Sequence, residues 1–162
     1  MLFRSPYDYN STVTVLDEGT MVKTGYQFTG WNTAANGSGT PYAIGDQFAI
    51  SSNVALYAQW NANGYDIVFN ANGGSGTMSN QTITYATTAS LTANAFTRTG
   101  YTFAGWATSA GGAVAYADGA NYTMNTAANV NLYAKWTANS YTVTFDGNGG
   151  GSPSLEIGRA HV

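Results

Sequence analysis

Apolar and polar residues alternate in several short stretches of the chain. Val54, Leu56, Ala58 and Trp60 fall on one side of a period of two, and Val130, Leu132, Ala134 and Trp136 repeat the pattern. Tyr65, Ile67 and Phe69 alternate in the same way, as do Tyr141, Val143 and Phe145. A period of two predicts half-buried β-strands. An Asn-Gly-Gly follows each of the latter two stretches. Asn and Gly tolerate positive φ, so each is expected to end its strand in a turn. Thr12–Leu16 and Thr82–Tyr85 are further strand candidates. In Gly25–Trp31, Tyr26 and Phe28 share a face but Trp31 falls out of phase. A bulge at Gly30 would return the indole to the core side, and glycine is the residue that permits one. Helical periodicity is nowhere sustained: the Ala-rich run from Ala107 to Ala120 is broken by Gly111, Gly112 and Gly119. At most a short helical turn is expected, near Ala89–Ala95.

The chain repeats itself, which takes precedence over other organisation. Gly25-Tyr26-Gln27-Phe28-Thr29-Gly30-Trp31 recurs 75 residues later as Gly100-Tyr101-Thr102-Phe103-Ala104-Gly105-Trp106. Asn53–Trp60 recurs as Asn129–Trp136 and Tyr65–Gly74 as Tyr141–Gly150, both at an offset of 76. Tyr42-Ala43-Ile44-Gly45 matches Tyr116-Ala117-Asp118-Gly119 at 74, which places the small insertions in linking turns. The expected organisation is a first repeat over 6–64 lacking its opening strand, a complete repeat over 65–136, and the start of a third over 137–155. Units this small bury a modest fraction of their surface. Their cores must therefore rest on a few large aromatic side chains.

Gly-Tyr-x-Phe-x-Gly-Trp, Asn-Val-x-Leu-Tyr-Ala-x-Trp and Tyr-x-Val-x-Phe-x-x-Asn-Gly-Gly together resemble the Listeria–Bacteroides repeat, also called the internalin B-repeat. The likeness extends over Pro6–Gly151. It implies a mainly β architecture of small α+β units similar to the β-grasp fold, with little or no helix, set in a tandem array. It also implies copies in large bacterial surface or secreted proteins, as spacers and sometimes as adhesive modules. The positions carrying it are Gly25, Tyr26, Phe28, Gly30, Trp31, Leu56 and Trp60, then Gly100, Tyr101, Phe103, Gly105, Trp106, Leu132 and Trp136. It supplies no catalytic residue. Known glycan binding in the family leans on basic surface, and that property is not carried over to this acidic chain.

Composition narrows the function. Of 162 residues only 8% are charged, 14% are aromatic and 20 are Gly, with no Cys. A disordered tail would show the reverse balance. Without Cys there is neither a disulfide framework nor a thiolate metal site. Met1–Ser5 and Glu156–Val162 each back-translate into a short-read sequencing adapter, in opposite orientations. Both are expected to be adapter artefact rather than natural protein. The only His, His161, falls there. The stretch 6–155 then holds three cations (Lys23, Arg98, Lys135) against seven carboxylates, a net −4. Nucleic acid and anionic membranes are not expected partners. No apolar run is long enough for a membrane span.

Candidate chemistry is sparse. Asp146-Gly147-Asn148-Gly149-Gly150 spaces oxygen ligands as a calcium loop begins. Its counterpart Asn70-Ala71-Asn72-Gly73-Gly74 has no carboxylate, so a plain turn is expected. The pair Asp17-Glu18 is matched by Thr92-Ala93, and a solvated turn is expected there as well. The Asn-x-Ser/Thr triplets at Asn10, Asn36, Asn80 and Asn121 follow from composition. The four Trp could stack sugars, but their repeated strand positions point to the core. Tyr57 and Tyr133 lie on the opposite strand face from their Trp neighbours and are the candidate ligand contacts, with cover by another strand the competing reading. No cofactor, metal or catalytic set is expected. The expected function is a non-catalytic, extracellular stalk or spacer module whose partners are neighbouring repeats. The alternative is an adhesive or neutral-glycan-binding module that meets a host or cell-wall glycan or a surface protein.

Overall fold

A computed structural model describes residues 6–151. The two segments assigned to adapter, and the last residues of 137–155, lie outside the described residues. Eleven strands follow one another: β1 (Thr12–Thr14), β2 (Tyr26–Asn32), β3 (Pro41–Tyr42), β4 (Gln47–Ala49), β5 (Tyr57–Ala62), β6 (Gly64–Asn70), β7 (Gln81–Thr84), β8 (Thr88–Ser90), β9 (Tyr101–Ala107), β10 (Asn121–Thr123) and β11 (Val130–Ala138). No helix occurs among the described residues. The protein is mainly β and built as a tandem.

The C-terminal unit is organised by a four-stranded sheet in the order β7-β6-β11-β9. The alternating apolar residues of β6 and β11 bring these strands together at its centre. They run parallel, with Val130 opposite Ile67 and Leu132 opposite Phe69. β7 and β9 close the two sides antiparallel. The first and last strands of the unit thus lie parallel and adjacent at the centre of its sheet. A two-stranded ribbon of β8 and β10 packs near β7 and completes the unit. The expected helical turn at Ala89–Ala95 is absent. Thr88–Ser90 pairs with Asn121–Thr123, and the extended chain that follows buries Leu91 and Phe96 in the core. Pairing across the ribbon satisfies the backbone groups that a helical turn would have satisfied internally.

The core lies over one face of this sheet. Ile67, Trp106, Met124 and Leu132 are its largest fully enclosed side chains, with Phe69, Ile83, Leu91, Phe96 and Tyr122 packed around them.

The N-terminal unit repeats part of this plan. β3-β2-β5 forms one sheet and β1-β4 a ribbon equivalent to β8-β10. Here the predicted strand Val54–Trp60 begins only at Tyr57. The equivalent residues 130–132 are held by parallel pairing with β6. No strand among the described residues lies beside Val54–Leu56, so those residues find no ladder to join. Tyr141–Phe145 corrects a second expectation. It alternates as a strand should, yet it forms none, and Tyr141, Val143 and Phe145 are all exposed. Alternation specifies a face, whereas a strand also needs a partner for its backbone.

Candidate functional site

The recurring aromatic positions converge around two bulges. In β2, Phe28 pairs with Trp60 and Gly30 with Gln59, leaving Thr29 unpaired. In β9, Phe103 pairs with Trp136 and Gly105 with Lys135, leaving Ala104 unpaired. The extra residue shifts the phase by one, as the position of Trp31 and Trp106 in the sequence requires. Each Trp then meets the Phe three residues earlier, at ring-centre distances of 5.5 Å (Phe28–Trp31) and 5.0 Å (Phe103–Trp106). The second Trp of each unit closes on the same Phe, at 5.5 Å for Trp60 and 5.6 Å for Trp136. All four pairs are edge-to-face, the favoured geometry for aromatic quadrupoles. The glycine is required for two reasons. Gly30 and Gly105 have φ of 132° and 135°. A Cβ there would also approach the carbonyl oxygens of Tyr42 and Tyr116 to 2.8 and 2.7 Å.

The two aromatic sets differ in depth. Trp106 is fully enclosed, and Phe69 and Phe96 pack on it at 4.8 and 6.2 Å. Its equivalent Trp31 is only half-buried and donates its indole N–H to the carbonyl of Leu16 at 2.8 Å. Trp60 and Trp136 are half-buried, as are Phe28, Phe103 and Leu56, whereas Leu132 is fully enclosed. The aromatic signature therefore serves packing in the C-terminal unit and a thinner version of the same packing in the N-terminal one.

The two candidate ligand contacts do not share an environment. Tyr57 is 44% exposed, at the start of β5 opposite Asn32 of β2. Tyr133 is half-buried in the middle of the sheet, between Asn70 of β6 and Ala107 of β9. The two residues lie in separate sheets, Tyr57 in β3-β2-β5 and Tyr133 in β7-β6-β11-β9. Asp146 accepts the backbone N–H of Asn148 at 2.9 Å, and Asn148 and Gly149 take φ of 43° and 89°. These are the features of an Asx turn. Asn72 and Gly73 adopt the same backbone in the preceding copy, with φ of 47° and 86°. Among the described residues no three His, Cys, Asp or Glu side chains are placed to hold a metal ion.

Two of the three cations in 6–155 lie over aromatic rings. Lys23 Nζ lies 3.9 Å from the ring centre of Tyr26, and the Arg98 guanidinium lies 3.9 Å from that of Tyr101. These are equivalent positions in the two units. Residues that sequence reasoning missed sit mainly between strands. Asn32 is the buried polar side chain, and it organises the turn after β2 by accepting the N–H groups of Ala34 and Gly39 and donating to the carbonyl of Gly37. Asn72 donates to the carbonyls of Ala110 and Ala134, tying the turn after β6 to β11. The Asn-rich turns of the sequence were the available signal.

Tandem β-units with aromatic cores on glycine-bulged strands define a repeat protein. The profile of the Listeria-Bacteroides repeat domain matches residues 4–59 and again 65–135. The chain belongs to that family. Among similar proteins, one from Evansella cellulosilytica described as a Gly-rich membrane protein is 41% identical over 155 residues, 90% of this chain and 16% of its own length. Internalin H of Listeria monocytogenes is 34% identical over 137 residues, 80% of this chain and 24% of its own length. The chain thus spans a quarter or less of these relatives. No solved structure matches. No helix among the described residues is long and apolar enough to cross a membrane.

Proposed function

We propose that this chain is a non-catalytic spacer segment of an extracellular bacterial protein, surface-bound or secreted, with units over 6–64 and 65–136. The observation carrying the reading is that what the two copies share is spent on packing. Phe28, Trp31 and Trp60 face one another, as do Phe103, Trp106 and Trp136. What lies between those positions diverges, as in Asn36-Gly37-Ser38-Gly39 against Ala110-Gly111-Gly112. A binding module would hold one exposed constellation constant between copies; the exposed Tyr57 has a half-buried counterpart in Tyr133. The names of the relatives, an internalin and a membrane protein, agree with placement at the cell surface. Quasi-independent units that contact only their neighbours suit a spacer whose length scales with copy number.

The test is a spacer exchange. The chain is displayed between a surface anchor and a binding head, then removed, then replaced by an unrelated folded spacer of equal length. A spacer role predicts that capture by the head drops on removal and returns with the unrelated replacement. Failure of that replacement to restore capture would contradict it.

A further inference from the structure

We infer that the exposed surface around Gly100, Tyr101 and Tyr141 is a docking face for another copy of this repeat. A twin of this face lies at the junction of the two units, and its docking role is independent of whether the chain serves as a spacer. At that junction Tyr85, which follows β7 of the C-terminal unit, lies across Gly25 of the N-terminal unit. Its ring centre is 5.6 Å from that of Tyr26 and 6.3 Å from that of Tyr65, edge-on to both. The Tyr85 backbone N–H donates to the carbonyl of Asn63 at 2.8 Å. Gly25 is buried there with φ of 80°, and a Cβ on it would meet the Tyr85 ring at 2.4 Å. A glycine at this position thus admits the neighbour's ring.

The glycine, the asparagine and the tyrosine contacts recur one repeat later without the ring, although Tyr65 sits on β6 and Tyr141 on no strand. Gly100 has φ of 78°, and a Cβ on it would meet nothing within 4 Å. Asn63 donates its backbone N–H to the Gly25 carbonyl at 2.9 Å, and Asn139 donates to the Gly100 carbonyl at the same distance. The Asn63 side chain donates to the Tyr65 hydroxyl at 3.5 Å, and that of Asn139 to the Tyr141 hydroxyl at 3.3 Å. The cation over Tyr26 is likewise matched by the one over Tyr101. Tyr101 and Tyr141 remain 37% and 81% exposed. The surface therefore repeats the groups that receive Tyr85, and its occupant is the tyrosine after the β7 strand of a following copy. Apolar rings left open on a protein of low charge favour such burial.

Ring-current shifts test this directly. In NMR spectra of the full chain, the Gly25 α protons should be displaced by the Tyr85 ring, and Tyr85→Ala should abolish the displacement while Tyr85→Phe keeps it. The Gly100 α protons should lack it. In a chain extended in frame after Ser152 by a second copy of residues 77–138, the Gly100 α protons should acquire the Gly25 pattern. Mutating the added tyrosine, in place of Tyr85, should remove it again. Retention of native Trp106 and Trp136 resonances checks folding in each variant. Unshifted Gly25 protons in the original chain, or unchanged Gly100 protons in a folded extended chain, would overturn the inference.

Discussion

Trp106 and Trp136 pack edge-to-face on the same ring, that of Phe103, but only one of them has a partner for its indole N–H. Trp136 donates to the carbonyl of Ala71 at 2.9 Å, joining the last strand of the unit to the turn that follows its first. The indole nitrogen of Trp106 is fully enclosed and has no hydrogen-bond partner among the described residues. A buried donor without a partner carries a desolvation cost of about 1–3 kcal/mol. Replacement by Phe should therefore rank the two in an order that burial alone would reverse. Trp106→Phe relieves the orphan donor and offsets part of its lost packing. Trp136→Phe loses a hydrogen bond of about 0.5–1.5 kcal/mol in addition to packing. Urea unfolding should place Trp136→Phe as the less stable variant.

Truncation to Ala should separate the units instead. Trp106→Ala should cost about 3–5 kcal/mol, the range for removing a buried aromatic. Trp31→Ala removes a half-buried ring and should cost about 1–3 kcal/mol. Calorimetry should show the C-terminal transition lost or strongly lowered in the first variant, and only the N-terminal transition lowered in the second. An unmoved melting temperature for Trp106→Ala would mean that the ring is not core.

The bulges should be intolerant of any side chain. Gly105→Ala places a Cβ against the Tyr116 carbonyl at φ of 135°. Backbone strain of this kind costs about 1–3 kcal/mol. Gly111→Ala, in a turn where a Cβ meets nothing within 4 Å, should stay within about 0.5 kcal/mol of the parent. Denaturant midpoints of the two variants compare them directly.

One buried tyrosine sets an alkaline limit. The Tyr122 phenol is held above its ordinary pKa of 10.0, chiefly by burial and secondly by the neighbouring Tyr116. The folded state therefore keeps its proton to higher pH than the unfolded chain does. Its contribution to stability is intact below about pH 10 and is lost as pH rises through the folded value. Melting temperature should fall over that window, and Tyr122→Phe should flatten the fall.

How much of this was legible in the sequence depended on whether a signal was local. The bulges were, because Trp31 and Trp106 sit out of phase beside a glycine, and only one backbone feature repairs that. The turn after β6 was, because Asn72-Gly73 names its own conformation. The parallel pairing of Val130 with Ile67 was not, since nothing in either segment encodes a partner 63 residues away. For the same reason Tyr141–Phe145 carries a strand's pattern and forms no strand. Burial of Met124 and Phe96 followed from the packing of the β8-β10 ribbon and the segments that follow its strands, which short polar-flanked segments do not announce. Tyr57 and Tyr133 occupy one motif position, yet their exposure differs because β6 lies beside only the second.

The most direct measurement for the spacer reading is a glycan array probed with the 162-residue chain at about 150 mM salt, where charge is screened beyond about 8 Å. The expected result is silence. Lys23 and Arg98 each lie over a tyrosine ring, and few, separated cations on an acidic chain cannot neutralise the clustered charges of a sulfated glycan. Salt-sensitive capture by sulfated glycans would contradict the acidic-surface argument. Salt-insensitive binding to a neutral sugar, lost in Tyr57→Ala, would replace the spacer with an adhesive module.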